Sequence, residues 1–157
     1  IKNVEEGIFP GTYNDKNIKN FVKNNESIIL TIKGELVKEE RNLYIGFILV
    51  DNKENILFIS QHTDEQPQKT IQLRKGQNVL KATLPKRLLN EGEYFIKPYV
   101  QIRPATGEGK KWIINPHIND IILRFEVKGG LSESPEWNKK RVGILAPIIK
   151  WERAISN

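Results

Sequence analysis

One stretch of the sequence, residues 93–103, carries side chains that could bind a carbohydrate. In an extended strand, alternate residues point to the same side. One side would then present Phe95, Lys97, Tyr99, Gln101 and Arg103. An aromatic ring can stack on the C–H face of a pyranose, and amide and guanidinium groups can bond to its hydroxyls. A partner or a covering strand could equally bury these side chains, so the pattern alone leaves both interpretations open.

Two further places could extend this surface. Residues 43–50 are apolar on both faces, and Tyr44, Ile48 and Val50 would lie on the same side as Tyr99 if the two strands are neighbours. Trp112 follows a loop rich in Gly and Lys. It could be a stacking platform at the edge of a groove or an anchor for the loop.

The residues typical of catalysis do not form a recognisable pattern. The sequence contains no phosphate-binding G-x-x-x-x-G-K-[ST] motif, no G-x-G-x-x-G and no G-x-S-x-G, and it has no Cys. His62 and His117 lie in separate loops, and the paired carboxylates, such as Glu39 and Glu40, lie in polar segments. We therefore predict no catalytic residue, no metal site and no cofactor in this chain.

The elements that must position these side chains are strands. Apolar residues alternate with polar ones in residues 27–37 and 93–103, and a turn at 51–55 joins 43–50 to 56–60 in a predicted hairpin. Pro98 indicates that the 93–103 strand is bulged or locally at a sheet edge. No segment has the pattern of a long amphipathic helix. The sequence predicts one all-β domain over 1–157, an antiparallel immunoglobulin-like or jelly-roll β-sandwich of about eight or nine strands.

The end of the chain is set apart by its composition. Residues 129–140 form a polar connector, and residues 141–153 form a last apolar strand that contains Pro147. A strand that leaves the body of its domain can pair with a second copy of the chain. If this strand does so, the interface would include Ile144, Leu145, Ile148 and Trp151.

The net charge and the N-terminal sequence give weaker indications of the partner and of the origin of the chain. The net charge of +6 comes from scattered Lys and Arg, so we do not predict a nucleic-acid partner. The sequence has neither a membrane-spanning apolar run nor a signal-peptide pattern. It begins with Ile and lacks Met, which leads us to expect a domain taken from a longer protein.

The order of several segments resembles one known family. These segments are Asn24 to Ile32, Gly46 to Asp51, Ile56 to Thr63, Glu91 to Ile96, Arg124 to Val127 and Arg141 to Glu152. Together they resemble the C-terminal carbohydrate-binding domain of the ATP-binding (Wzt-type) subunit of ABC transporters that export O-antigen polysaccharide. Where the family usually has Asn before the Thr of the third segment, this chain has His62.

The resemblance implies a non-catalytic module that recognises the end of an O-antigen polysaccharide and dimerises by strand exchange. It also implies a membrane-spanning transporter subunit as partner and a cytoplasmic location at the inner membrane. On this basis, we expect Tyr44, Lys97, Tyr99, Gln101 and Arg103 in the groove and His62 and Trp112 at its rim. Tyr99 and Trp112 would stack on sugars, while Lys97, Gln101 and Arg103 would bond to hydroxyls.

Two other functions remain open at the level of sequence. The chain could be a β-sandwich used only for protein interaction or dimerisation, in which case its second apolar face would be an interface. It could also be an enzyme such as a glycoside hydrolase or an esterase, which a screen with chromogenic substrates would reveal.

Overall fold

The computed structural model describes residues 4–9, 21–107, 109–118 and 121–154, with 4–9 described as backbone only. Nine strands lie in this part of the chain. Their bounds are β1 Val4–Phe9, β2 Phe21–Val22, β3 Ile28–Leu36, β4 Leu43–Asp51, β5 Ile56–Gln61, β6 Gly76–Leu84, β7 Gly92–Ile102, β8 Lys111–Ile114 and β9 Leu123–Val127. Two short 3₁₀ turns occupy Pro67–Lys69 and Pro135–Trp137.

The strands form two sheets packed as a sandwich, which confirms the predicted fold class. The smaller sheet has the order β1-β3-β6, and the larger has the order β2-β9-β7-β4-β5, with β8 also pairing with β7. Neighbours are antiparallel except for the short parallel pair β2 and β9. Side chains from the inner faces of both sheets fill one core, including Leu30 of β3, Leu80 of β6, Leu49 of β4 and Phe125 of β9.

Alternation along β7 separates the core from the outer face of the larger sheet, the face turned away from the smaller sheet. Tyr94, Ile96 and Val100 belong to the main core, as the pattern predicted. Tyr99 instead belongs to a second apolar cluster with Ile48 and Val50 of β4, against which Phe95 packs. The outer face therefore has an apolar cluster of its own, and the polar side chains of β7 lie around it.

Pro98 lies at a position of β7 that has no hydrogen-bonding partner on the side of β8 and β9. Residues 92–96 of β7 pair with β9 and residues 100–102 pair with β8, which leaves a gap between the two partner strands at Pro98. The carbonyl of Ile45 accepts from the backbone of His62, so Ile45, and two residues later Phe47, direct their backbone groups away from β7. Pro98 lies opposite Phe47, and its backbone therefore points into the gap. The predicted local edge at Pro98 is confirmed.

The last strand predicted at 141–153 is not formed within one copy of the chain. The segment has no regular secondary structure among its described residues except an isolated bridge between Leu145 and Leu89. Pro147 cannot donate to a ladder, and Gly143 has a φ of +97°, which interrupts an extended strand. A strand at this place would need a partner that a single copy does not supply.

Candidate functional site

Side chains from four strands and two loops meet at one end of the outer face, where β4 begins and β7 ends. We call this cluster the aromatic end; its members are Tyr44, Gln61, His62, Tyr99, Gln101, Arg103 and Trp112. The pairing of strands brings them together. Gln101 lies opposite both Tyr44 of β4 and Trp112 of β8, while Gly46 lies opposite both Tyr99 of β7 and Gln61 of β5.

Gln61 is the polar centre of the aromatic end. Its Oε1 accepts hydrogen bonds from the Tyr99 hydroxyl and from Nη2 of Arg103, each at 3.2 Å. Its Nε2 donates to the Thr63 hydroxyl at 2.8 Å. The carboxylate of Asp64 accepts from the Gln61 backbone at 2.9 Å, which fixes the start of the following turn. The amide of Gln61 thus links the last residue of β5 to two side chains of the β7 segment.

Arg103 is held on three sides. Its guanidinium carbon lies 4.4 Å from the centre of the Tyr44 ring, which is the geometry of a cation–π contact. Nη2 donates to Gln61. With the oxygen of its amide facing Arg103, Gln101 accepts from Nε at 3.0 Å and also from Nη2. A guanidinium fixed in this way has little rotamer freedom left to lose when a ligand binds.

Tyr99 and Gln101 are more buried than sequence alternation indicates. Tyr99 is only 4% exposed and Gln101 only 2%. Burial raises the pKa of the Tyr99 phenol, nearby Arg103 lowers it, and Asp64 raises it; the net direction is upward. Tyr99 therefore remains a hydrogen-bond donor at neutral pH. Tyr99 holds Gln61 and Gln101 holds Arg103 by hydrogen bonds. The burial of Tyr99 leaves little of its ring surface for stacking on a sugar.

Trp112 is the aromatic side chain with the most accessible surface at this end. Its indole is 37% exposed, and it meets the Tyr99 ring edge to face with centroids 6.0 Å apart. The contact with Tyr99 holds the indole in place while leaving part of it in solvent. Tyr44, half-buried, lies with its ring centre 6.3 Å from that of His62. Trp112, Tyr44 and His62 thus surround the polar groups with partly exposed rings.

His62 is tied to the neighbouring strand. Its Nδ1 lies 3.2 Å from both the backbone nitrogen and the carbonyl oxygen of Ile45. Burial lowers the pKa of the imidazole below its ordinary value and outweighs the opposing effects of Ile45 and Asp64. The ring is therefore mainly neutral at pH 7.

Lys97 is the one predicted groove residue that does not join the aromatic end. It lies on the outer face, opposite Ile48, and its ammonium group is 3.8 Å from the carboxylate of Glu54 in the β4–β5 turn. This ion pair directs Lys97 toward the opposite end of β7 from Arg103.

Sequence reasoning missed two residues here, Gln61 and Gly46. A Cβ on Gly46 would lie 2.6 Å from Cζ of Tyr99 and would also collide with the carbonyl oxygen of Ser60. A glycine inside the apolar 43–50 segment was a signal that another group crosses closely there. Gln61 lies one residue beyond the predicted 56–60 strand. Its hydrogen bonds to Tyr99 and Arg103 identify it as a site residue, and these bonds depend on the fold.

The four predicted interface residues lie on the irregular end of the chain. Ile144, Leu145, Ile148 and Trp151 are all exposed, and Trp151 is the most exposed at 91%. Between Leu145 and Ile148, Ala146 is fully buried, and its backbone N–H donates to the carbonyl of Leu88. The side chains predicted to meet a second copy are thus accessible in one copy.

Neither metal nor membrane chemistry is indicated by the described residues. In that part of the chain, no three His, Cys, Asp or Glu side chains are grouped so that they could hold a metal ion. Among the same residues, no helix has the length and apolar character needed to cross a bilayer.

Comparison with known proteins gives a likeness of fold. The chain is similar to a crystal structure of the C-terminal domain of Wzt, with a TM-score of 0.57 and 12% identity; the match covers 83% of this chain and 71% of the other. No family model matches the sequence. No curated protein matches it either.

Proposed function

We propose that this chain is a non-catalytic carbohydrate-binding module that recognises O-antigen polysaccharide, at the chain end, for export by an ABC transporter. The observation that carries the proposal is the aromatic end. There the partly exposed indole of Trp112 lies beside the fixed donors and acceptors of Arg103 and Gln61. The likeness of fold to the C-terminal domain of Wzt supports the same conclusion.

The proposed mechanism is selection without chemistry. Trp112 stacks on the apolar face of a sugar, and Arg103 and Gln61 bond to its polar substituents. By holding the polysaccharide near the transporter, the module raises its local concentration there. The affinity of one site is weak, because a shallow site recovers little free energy beyond the entropy lost on binding.

The assembly belongs to the proposal as well. The exposed apolar residues of 144–151 pair with a second copy, so the module is a homodimer with its last segment exchanged. A longer parent chain carries the ATPase domain and joins a membrane-spanning subunit, which places the module on the cytoplasmic side of the inner membrane. A second candidate function, dimerisation or protein interaction without glycan binding, is favoured by the same exposed segment.

NMR titration of the labelled domain with the O-polysaccharide of its own bacterium tests the binding function. We expect saturable shifts at the Trp112 indole and at residues 44, 61 and 103. Trp112→Ala should weaken binding by about tenfold, equivalent to about 1.4 kcal/mol of lost stacking. Trp137→Ala is the matched control, since Trp137 is an exposed tryptophan of a 3₁₀ turn outside the aromatic end.

The two candidate functions predict different results in this titration. If the domain is dimeric in solution and no resonance shifts at millimolar glycan, the interaction module is correct and glycan recognition is wrong. Saturable shifts around Trp137 and Trp151 in place of Trp112 would move the binding site to the end of the chain.

A further inference from the structure

Three cations lie on the outer face of the larger sheet, and they differ in how their charge is balanced. Arg124 of β9 lies opposite Phe95, and its guanidinium bonds to the carboxylate of Glu93, with Nε 2.7 Å from Oε2. Lys97 pairs with Glu54. Arg103 forms no ion pair with any carboxylate in the described part of the chain. Its polar partners are the neutral amides of Gln61 and Gln101.

Two acidic groups on the loops beside Arg103, those of Asp64 and Glu40, are hydrogen-bonded to other groups; Glu108, the acidic residue nearest to Arg103 in sequence, lies outside the described residues. Asp64 accepts from the Ser60 hydroxyl at 2.8 Å and from the Gln61 backbone. Glu40 accepts from the backbone of Asn42, whose carbonyl in turn accepts from the backbone of Arg103. The amides satisfy part of the hydrogen-bonding capacity of Arg103, and no carboxylate among the described side chains forms an ion pair with it.

The guanidinium also keeps donors available. Nε and Nη2 bond to the two glutamines, whereas Nη1 makes no hydrogen bond to any described residue. The Tyr44 ring, 4.4 Å from the guanidinium carbon, adds a cation–π contact that restricts its position. A guanidinium that is half-buried, pre-oriented and not neutralised is suited to carboxylate and phosphate groups, with which it forms short charge-assisted bonds. The net charge of +6 adds a general attraction for an anionic ligand.

We infer that the glycan recognised at the aromatic end is acidic, and that Arg103 binds its carboxylate or phosphate group beside the sugar stacked on Trp112. This inference rests on the proposed function and specifies its ligand class. Uronic acids and phosphorylated sugars share the required chemistry. The anion supplies the counterion that no described Glu or Asp supplies to Arg103, in contrast to Arg124 on the same face.

A glycan array that presents each backbone in neutral, uronate and phosphorylated form tests the inference. We expect the wild-type domain to bind acidic members at least about tenfold more tightly than their neutral forms. The uronate and phosphate arms distinguish the two sources of charge. Arg103→Gln should abolish the preference, so that the acidic and neutral forms of one backbone bind with equal affinity. Arg124→Gln, the matched control, should stay within about twofold of wild type.

A measurement on the wild-type protein keeps the inference testable even if Arg103→Gln does not fold. On addition of an acidic array member, the Nε–Hε resonance of Arg103 should shift and that of Arg124 should stay in place. Equal affinity for neutral and acidic forms, or an unmoved Arg103 resonance at saturation, overturns the inference and leaves glycan recognition intact. No saturable binding to any member of the array overturns the proposed function, and the inference with it.

Discussion

Gly46 is a residue whose missing side chain shapes the aromatic end. The Tyr99 ring crosses β4 above it to reach Gln61, and the carbonyl of Ser60 lies on the other side. Any Cβ at this place meets both a ring and a backbone atom. The ring could turn away, but the carbonyl belongs to the β4–β5 pairing and cannot move without breaking it.

Gly46→Ala should therefore destabilise the fold by about 2 kcal/mol or more, in the range observed for overpacked interiors. Urea unfolding monitored by tryptophan fluorescence measures the change. Gly92→Ala is the control, since the nearest atom to its Cβ is the Tyr94 hydroxyl oxygen at 3.5 Å, an ordinary contact. An equal loss of stability in the two variants would contradict the role given to Gly46.

His62 makes the stability of this end dependent on pH. Burial lowers its pKa in the folded state below the ordinary value of 6.5. The unfolded chain then binds more protons than the folded one as pH falls below 6.5, so this contribution reduces stability on acidification. At pH values well above 6.5 the histidine is neutral in both states and contributes no pH dependence.

The measurement is the free energy of unfolding at about pH 7.5 and about pH 5 for the wild type and for His62→Gln. We expect the wild type to lose more stability than the variant over this interval. His117→Gln, which changes the other histidine, should behave as the wild type does. Identical pH profiles for the wild type and His62→Gln would refute the prediction.

The sequence predicted part of the aromatic end, and the missing part has physical causes. Alternation along one strand places Tyr99, Gln101 and Arg103 on a common face, because side-chain direction there depends only on local geometry. Alternation does not indicate how far a side chain is covered by its neighbours, and Tyr99 and Gln101 are buried. The direction of Lys97 depends on Glu54 in a distant turn, and pairing of that kind is set by the fold.

Among the elements, the segment after the connector is anchored by buried amides. Nδ2 of Asn24 donates to the carbonyl of Ala146 at 3.3 Å, and Asn90 makes the larger number of bonds to the segment. Asn90 is 1% exposed; its Nδ2 donates to the carbonyl of Gly143 at 2.6 Å and also to that of Arg141, and its Oδ1 accepts from the backbone of Arg141 at 3.1 Å. The backbones of Asn90 and Ile144 also bond to each other. These bonds hold 141–146 to the body of the domain, and residues 147–154 continue beyond the anchor.

Asn90→Ala should release residues 141–146 and destabilise the fold by about 3 kcal/mol, because several buried polar groups lose their partner together. Hydrogen exchange should show faster exchange at Arg141 and Ala146 than in the wild type. Asn52→Ala, in the exposed β4–β5 turn, is the control. Unchanged exchange at these two amides would show that Asn90 is not the anchor.

Strands with enough apolar residues to define a buried face were predictable, and the shortest strands were not. β3, β4, β5 and β7 lie within one or two residues of their predicted bounds, because each has enough apolar residues to define its buried face. β2 has two residues and β8 has four, too few for a period to be recognised. Residues 141–153 have the composition of a strand, but a strand also needs a neighbouring strand to bond with, and one copy of the chain does not provide one for these residues.

At the scale of the whole molecule, the binding site and the proposed dimer segment are well separated. The anchor at Asn90 precedes β7 and Arg103 follows it, and β7 has 11 residues. At about 3.3 Å per residue, the two ends of such a strand are roughly 35 Å apart. Changes at one end should therefore have effects independent of changes at the other.

Truncation after Ala146 tests the proposed exchange. The chain of 157 residues should have the mass of a dimer by light scattering, and the truncated chain should have the mass of a monomer with an unchanged glycan affinity per site. Truncation after Glu152, which leaves Ile148 and Trp151 in place, is the control. A truncated chain that remains dimeric would locate the interface elsewhere.

Pro98 has a consequence for aggregation. An interrupted ladder in the middle of a sheet exposes backbone groups to which a strand from another molecule could add. Because Pro98 points into the gap between β8 and β9 and has no N–H, that gap offers no donor at this position to start such an addition. Pro98 thus disfavours the addition of a foreign strand at the gap, on the same strand that carries Tyr99 and leads into Arg103.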